Sequence, residues 1–264
     1  MSFARINGVV LHYRVQGREG APVLALANSL GTDARIWDGV IERLAGRYRV
    51  VSYDKRGHGL SDAPDGDYAL DDHVGDLAGL LDFLDIGRLA LAGVSVGGLI
   101  GQRFAMRYPE RLAALVLCDT APKVGDAAMW NGRIAAVRAG GLGTIADAVM
   151  TRWFTERYRR DEAVALAGWR NMFLRMPVGG YVGTCAALRD ADLRGEIGAI
   201  ATPTLVVVGA EDQSTPVELV RDMASRIPGA RFEIIADAGH IPSIEQPQAL
   251  AELMQDFLKE VGHG

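Results

Sequence analysis

The sequence predicts an α/β protein: a mostly parallel central sheet flanked by helices, with a helical segment inserted into it. Three observations predict this. Short, fully apolar runs alternate with stretches of helical spacing over residues 23–117 and again over 204–261. The string Gly93-Val94-Ser95-Val96-Gly97-Gly98 stands where one apolar run gives way to a helix. Between residues 121 and 195 the alternation stops and only helical stretches remain.

The elements follow in order. Residues 2–16 read as a hairpin, with Asn7-Gly8 as its two-residue turn. Residues 23–27 are wholly apolar and read as a central strand, emptying into the loop Asn28-Ser29-Leu30-Gly31. Thr32 or Asp33 can cap a helix that puts Ile36, Trp37, Val40, Ile41 and Leu44 on one face. A strand over 49–53 leads into the glycine-broken, charged loop Asp54-Lys55-Arg56-Gly57-His58-Gly59-Leu60-Ser61. A helix over about 70–84, the strand before Ser95, its helix and a strand over 112–117 follow. After the insertion come a strand at 204–208, a helix over about 216–227 and a strand at 231–236. A last helix carries Leu250, Leu253, Met254, Phe257, Leu258 and Val261 on one stripe, with Pro247 near its start. Residues 1–120 and 196–264 are thus expected to form the core and 121–195 a lid.

Composition narrows the function classes. A chain of 264 residues, 49% apolar and 23% charged, can bury a large core without disulfides or a structural metal. Its net charge is −5, which argues against nucleic acid as a partner. Cys118 and Cys185 have no metal-ligand spacing and read as small apolar residues. No apolar run approaches the ~20 residues that span a bilayer, so no membrane partner is expected. The first residues, Met1-Ser2-Phe3-Ala4-Arg5, lack the apolar core of an export signal, and the cytoplasm is the expected place. Nothing in the chain signals an oligomeric state.

Gly-x-Ser-x-Gly between strand and helix is a nucleophile elbow: the sharp turn lifts the Ser95 hydroxyl above the sheet edge. Glycines at 93 and 97 leave room for it. Such a serine needs an acid and then a histidine further along. The strand ending in Gly209-Ala210-Glu211-Asp212 supplies the acid at the same sheet edge, Asp212 first and Glu211 as its neighbour. A plain turn or helix cap is the other role open to Asp212. Among the five histidines, His12 lies in the hairpin, His73 in a helix before the elbow and His263 in the tail. His240 follows the strand at 231–236 and completes the order Ser, Asp, His. Asp237, three residues earlier, reads as turn chemistry, and His58 as a brace for the floor of the site. His240 then takes the serine proton and returns it to the leaving group, while Asp212 fixes its tautomer. The N–H groups of Val96 and Leu30 are the expected donors to the oxyanion.

On Gly93-Val94-Ser95-Val96-Gly97, the Asp54-to-Ser61 loop, Gly209-Ala210-Glu211-Asp212 and Ala238-Gly239-His240, the chain resembles the α/β-hydrolases from end to end. Many members carry His-Gly after the first core strand, where this chain has Asn28-Ser29; those side chains could add donors to the site. Dehalogenases and epoxide hydrolases of the fold use Asp at the elbow, which Ser95 excludes. Within the family four regions are similar to the 3-oxoadipate enol-lactonases of aromatic-ring degradation. The first is Asn28-Ser29-Leu30-Gly31-Thr32-Asp33. The second is Trp130-Asn131-Gly132-Arg133-Ile134 with Val137-Arg138-Ala139-Gly140-Gly141. The third is Arg152-Trp153-Phe154-Thr155, and the fourth runs from Tyr181 to Leu193. The resemblance implies hydrolysis of a small anionic enol-lactone to 3-oxoadipate, with no metal or organic cofactor. Other readings of the fold are a carboxylesterase, a carbon–carbon hydrolase of ring-fission products, a perhydrolase, and a ligand receptor that keeps the triad.

Charge offers a separate argument. Residues 121–195 hold eleven Lys or Arg against seven Asp or Glu, leaving −9 on the remainder. A basic lid over an acidic body suits an anionic substrate. Arg133, three residues after Trp130 on a shared helix face, is the candidate to grip a carboxylate. Trp130 and Trp153 are candidate apolar walls, and Ser29 is a candidate substrate contact.

Overall fold

The computed structural model describes residues 1–264. Asn7 and Gly8, both at positive φ (48° and 83°), join β1 (Ser2–Ile6) to β2 (Val9–Gly17) in an antiparallel pair. The remaining strands are β3 (Val23–Ala27), β4 (Arg49–Tyr53), β5 (Leu89–Val94), β6 (Leu112–Cys118), β7 (Thr204–Gly209) and β8 (Arg231–Ile235). They form one eight-stranded sheet in the order β1-β2-β4-β3-β5-β6-β7-β8. β2 pairs antiparallel with β4, and every later pairing is parallel. Every residue of β5, β6 and β7 is buried, which is why they read as unbroken apolar runs.

Four long helices flank the sheet: α2 (Leu70–Phe83), α3 (Val96–Arg107), α9 (Val217–Arg226) and α11 (Pro247–Glu260). α1 (Asp38–Leu44) packs on α11, and α2 on α3. α1 is preceded by a 3-10 turn over Ala34–Trp37. Asp33, not Thr32, caps that turn, accepting from the Arg35 N–H at 3.0 Å. A short helix, α10 (Pro242–Glu245), follows His240; four residues are too few to show a period in sequence. Val261 lies at the C-cap of α11 and is only partly buried.

Between β6 and β7 the chain holds α4 (Ala127–Gly140), α5 (Ala146–Trp153), α6 (Glu156–Asp161), α7 (Ala163–Leu174) and α8 (Val178–Asp190), and no strand. One apolar core of 78 buried residues runs from the sheet into this insertion. α8 is the most deeply set, with nine of its thirteen residues buried. Both cysteines are free and buried. No helix is long and apolar enough to cross a membrane.

The topology fixes where a ligand can sit. The chain steps from β3 outward to β4 and returns on the other side of β3 as β5. The crevice at the carboxyl ends of β3 and β5 is such a reversal point, and Leu30 and Ser95 flank it. Close packing holds it shut below: a Cβ on Gly93 falls on the Gly97 carbonyl, and one on Gly97 falls on the Ala27 carbonyl. Gly93→Ala is therefore expected to destabilise the fold by about 2 kcal/mol or more, in the range for an overpacked core. A urea titration against the wild type measures it.

Candidate active site

Ser95 follows β5 at φ 58°, ψ −117°, a conformation L-residues rarely adopt. Its backbone is pinned on both sides. The Ser95 N–H donates to the Cys118 carbonyl at 3.0 Å, and the Ser95 carbonyl accepts from Thr120 Oγ1 at 2.7 Å and the Leu99 N–H at 3.1 Å. Val96, fully buried, opens α3, where an N–H has no intrahelical acceptor.

Asp212 lies past β7 and His240 past β8. His240 Nδ1 bonds Asp212 Oδ2 at 2.9 Å. Thr215 Oγ1 also donates to Oδ2, at 2.6 Å, and the N–H groups of Ser214 and Thr215 donate to Oδ1 at 2.7 and 3.2 Å. Burial pushes the Asp212 carboxyl up, but His240 and these donors outweigh it and hold the group below its ordinary value. The His240 loop is itself tied to the insertion. Its N–H donates to the Trp153 carbonyl at 3.0 Å. Glu245 accepts from the Gly239 N–H at 2.6 Å and from Thr155 N–H and Oγ1 at 2.9 and 2.8 Å.

Asp119 went unnoticed in the sequence, although it follows β6 as Asp212 follows β7. It is fully buried at φ 46°, and one oxygen accepts from the Gly209 N–H at 2.8 Å. Asp119, Asp212 and His240 cluster within 4.8 Å, close enough to ligate a cation. The donors on Asp212 and its bond to His240 already occupy that carboxylate. Burial, then the charge of Asp212, holds the Asp119 carboxyl well above its ordinary value.

Leu30 sits in a tightly bonded loop. The Ser29 carbonyl accepts from Lys55 Nζ at 2.6 Å and Thr32 Oγ1 at 2.9 Å, and the Gly31 N–H donates to His58 Nε2 at 3.0 Å. His58 Nδ1 lies 3.2 Å from the Arg56 carbonyl, so this ring is spent on bracing the floor. The Leu30 N–H has no acceptor in the chain. The amide of Asn28 turns inward and donates to the Thr32 carbonyl, so it offers the cavity no donor. Ser29 lines the cavity, and its Oγ is buried without a partner.

The cavity at this crevice measures about 110 Å³. Ser29, Leu30, Ser95, Trp130, Arg133, Val149, Arg152, Trp153, Tyr181, Leu188, Ser214 and His240 line it, with Val124, Gly125 and Met129. Asp212 and Val96 stand behind this lining. No hydrogen bond joins Ser95 to His240 in the unliganded chain, as is common before substrate tightens a site. The Arg133 guanidinium lies 5.2 Å from the Trp130 ring centre, and Trp130 Nε1 donates to the Val124 carbonyl at 2.7 Å. Arg152 and Tyr181 were not singled out in the sequence, though both fall in lid stretches that carry the family resemblance.

A serine at an elbow, a histidine backed by a carboxylate, and free N–H groups on one small cavity make the kind of site that serine hydrolases use. The chain belongs to the α/β hydrolase family: the family's fold model matches residues 22–247. It is 36% identical over 251 residues to 3-oxoadipate enol-lactonase 2 of Acinetobacter baylyi, covering 95% of this chain and 94% of that one. The crystal structure of the enol-lactonase from Burkholderia xenovorans superposes with a TM-score of 0.95 at 40% identity, covering 98% and 100% of the two chains. A thermophilic esterase from Thermogutta terrifontis, solved with malate bound, superposes at 0.93 with 31% identity and 99% of each chain covered. The chain is thus an enzyme of the hydrolase class.

The raised proton affinity of Asp119 has a measurable consequence. Its carboxyl keeps a proton in the folded chain that the unfolded chain releases near its ordinary value of 3.8. Stability from this group is therefore full below that value and falls as pH rises toward the folded one. Asp119→Asn, neutral at every pH, is expected to unfold at higher urea than wild type at neutral pH. The two are expected to converge near about pH 3.

Proposed function

We propose that the chain hydrolyses 3-oxoadipate enol-lactone to 3-oxoadipate in the β-ketoadipate route of aromatic catabolism. Ser95, His240 and Asp212 act as a triad through an acyl-enzyme. One observation carries the reading: Arg133 and Arg152 line the same cavity as Ser95 and His240, and neither pairs with a carboxylate of the chain. Six other arginines of the insertion do pair with acids, and Lys123 donates to the carbonyls of Arg189 and Ala191. Two unpaired guanidinium groups beside a nucleophile suit a substrate that brings its own carboxylate.

In this reading residues 121–195 act as a lid on a core of 1–120 and 196–264, in the cytoplasm. The lactone docks with its carboxylate on Arg133 and its ring against Trp130 and Trp153, with Ser29 at the ring edge. Ser95 attacks the ring carbonyl as its proton passes to His240, and the N–H groups of Leu30 and Val96 hold the oxyanion. The ring C–O bond then breaks, and the leaving enolate takes a proton and becomes the ketone. Water, activated by His240, cleaves the acyl-enzyme and leaves a second carboxylate, which Arg152 is placed to meet. No cofactor is part of the reading. The malate-bound esterase supports a second one: a carboxylesterase for other small acidic esters.

The test follows the enol-lactone absorbance with purified protein. Wild type is expected to turn the lactone over. Ser95→Ala is expected to lose about 10⁶-fold in kcat and Asp212→Asn about 10⁴-fold. Loss of one charge-assisted contact in Arg133→Ala is expected to raise KM about 10- to 100-fold with a smaller change in kcat. Ser95-dependent cleavage of simple acidic esters without lactone turnover leaves the esterase reading.

A further inference from the structure

Lys55 is 1% exposed, and no carboxylate lies within ion-pair distance of it. The only hydrogen bond of its side chain is the 2.6 Å donation from Nζ to the Ser29 carbonyl. A buried ammonium without an ionic partner is costly, and a methionine would fill the same space without that cost. The carbonyl that Lys55 holds belongs to the peptide whose other end is the Leu30 N–H. In a trans peptide the C=O and N–H point in opposite directions. With the carbonyl drawn back onto Lys55, the N–H is left facing forward, free of any acceptor in the chain and on a cavity-lining residue.

We propose that Lys55 is a positioning residue for the oxyanion site. From behind the Ser29–Leu30 peptide it stops that unit from flipping and polarises it, so that the Leu30 N–H becomes a stronger donor. The proposal rests on the reading of Ser95 as the nucleophile. Thr32 gives the same carbonyl two neutral bonds, from Oγ1 at 2.9 Å and from its N–H at 3.4 Å, and the His58 bond to the Gly31 N–H fixes the next unit. Hydrogen bonds in series strengthen one another, and a charged donor at the head of the series does so most. The lowered proton affinity of Lys55 follows first from burial, and Asp54 and Asp33 oppose it. Its bond to the carbonyl survives in either protonation state, but the polarisation is greatest when it is charged.

The experiment compares wild type, Lys55→Met and Ser95→Ala on p-nitrophenyl acetate, with phenylboronic acid as a tetrahedral adduct and succinate as a ground-state anion. Full removal of one oxyanion donor costs about 10²–10³ in kcat, so weakening one is expected to slow acylation in Lys55→Met about 10- to 100-fold. Boronate affinity is expected to fall by the same factor, with KM and succinate affinity within about twofold of wild type. Acylation and boronate binding equal to wild type overturn the proposal. So does an equal loss of succinate binding, which marks a cavity deformed as a whole. If Lys55→Met does not fold, Thr32→Val decides: it removes the hydroxyl donor to the same carbonyl, and a loss of about 3- to 10-fold with the same split is expected. An unchanged Thr32→Val overturns the proposal. Acylation that persists in Ser95→Ala fells the nucleophile reading instead, whatever Lys55 does.

Discussion

The conformation of Ser95 is the constraint on which the rest of the structure depends. A residue at φ 58°, ψ −117° costs about 1–3 kcal/mol relative to relaxed backbone, and only surroundings that allow no other path sustain it. Here three strand ends supply those surroundings. β5 delivers the chain fully buried, β6 contributes the Cys118 carbonyl that receives the Ser95 N–H, and the end of β3 presses on Gly97. Gly98 presses on Thr120, whose hydroxyl returns to the Ser95 carbonyl. No larger residue fits at 93, 97 or 98, so the glycines serve contact between elements more than backbone freedom. Strain at the elbow and close packing below it are one arrangement.

Buried charge is the second constraint, and it is met by assigning each group one state. Asp119 and Asp212 cannot both ionise beside each other in the interior. Donors surround Asp212 and leave Asp119 with one backbone N–H and one oxygen without a partner. The negative charge therefore rests on Asp212, next to His240. The loop from Asp54 to Ser61 follows the same logic. Asp54 accepts from the N–H groups of Ala34 and Leu60 and from His12 Nδ1, and Arg56 forms paired bonds to Asp76 at 2.6 and 2.8 Å. Of that charged run, Lys55 alone is directed at the carbonyl of Ser29.

The fold was legible in the sequence because buried parallel strands carry no polar face: 23–27, 89–94, 112–118 and 204–209 announce themselves as apolar runs. Ser95, Asp212 and His240 were legible as positions at strand ends, taken in chain order. What escaped depends on side-chain direction. Asn28 has the composition of a site donor, but its amide is drawn inward by the Thr32 carbonyl. Asp119 carries the same strand-end signal as Asp212, and only the donors gathered on Asp212 by the fold set the two acids apart. Arg152 looks in sequence like any of the lid's other arginines. That Trp153 packs into the core and Arg152 borders the cavity is a matter of how α5 is rotated.

The lid's charge also means something different once its partners are known. The excess of eleven cations over seven acids suggests a field that draws anions in. Four of the ion pairs use acids of the same segment, already counted in that balance, and Asp67 and Asp237 of the body neutralise about half of the remaining excess of four. Screening removes what is left of it beyond about 8 Å at physiological salt. In the proposed reading, selectivity for an anion then comes from short-range contact with Arg133 on α4 and Arg152 on α5, both of which line the cavity. The helix beneath them is closely packed on the body. α8 meets the body glycine to glycine, Gly180 on Gly57, and the Tyr68 N–H donates to the Gly183 carbonyl at 3.1 Å. The two arginines are thus presented from helices that share one core with the sheet bearing Ser95. In the proposed reading, the distance from a carboxylate on Arg133 to the serine is then set by the fold, and that distance selects the length of the substrate.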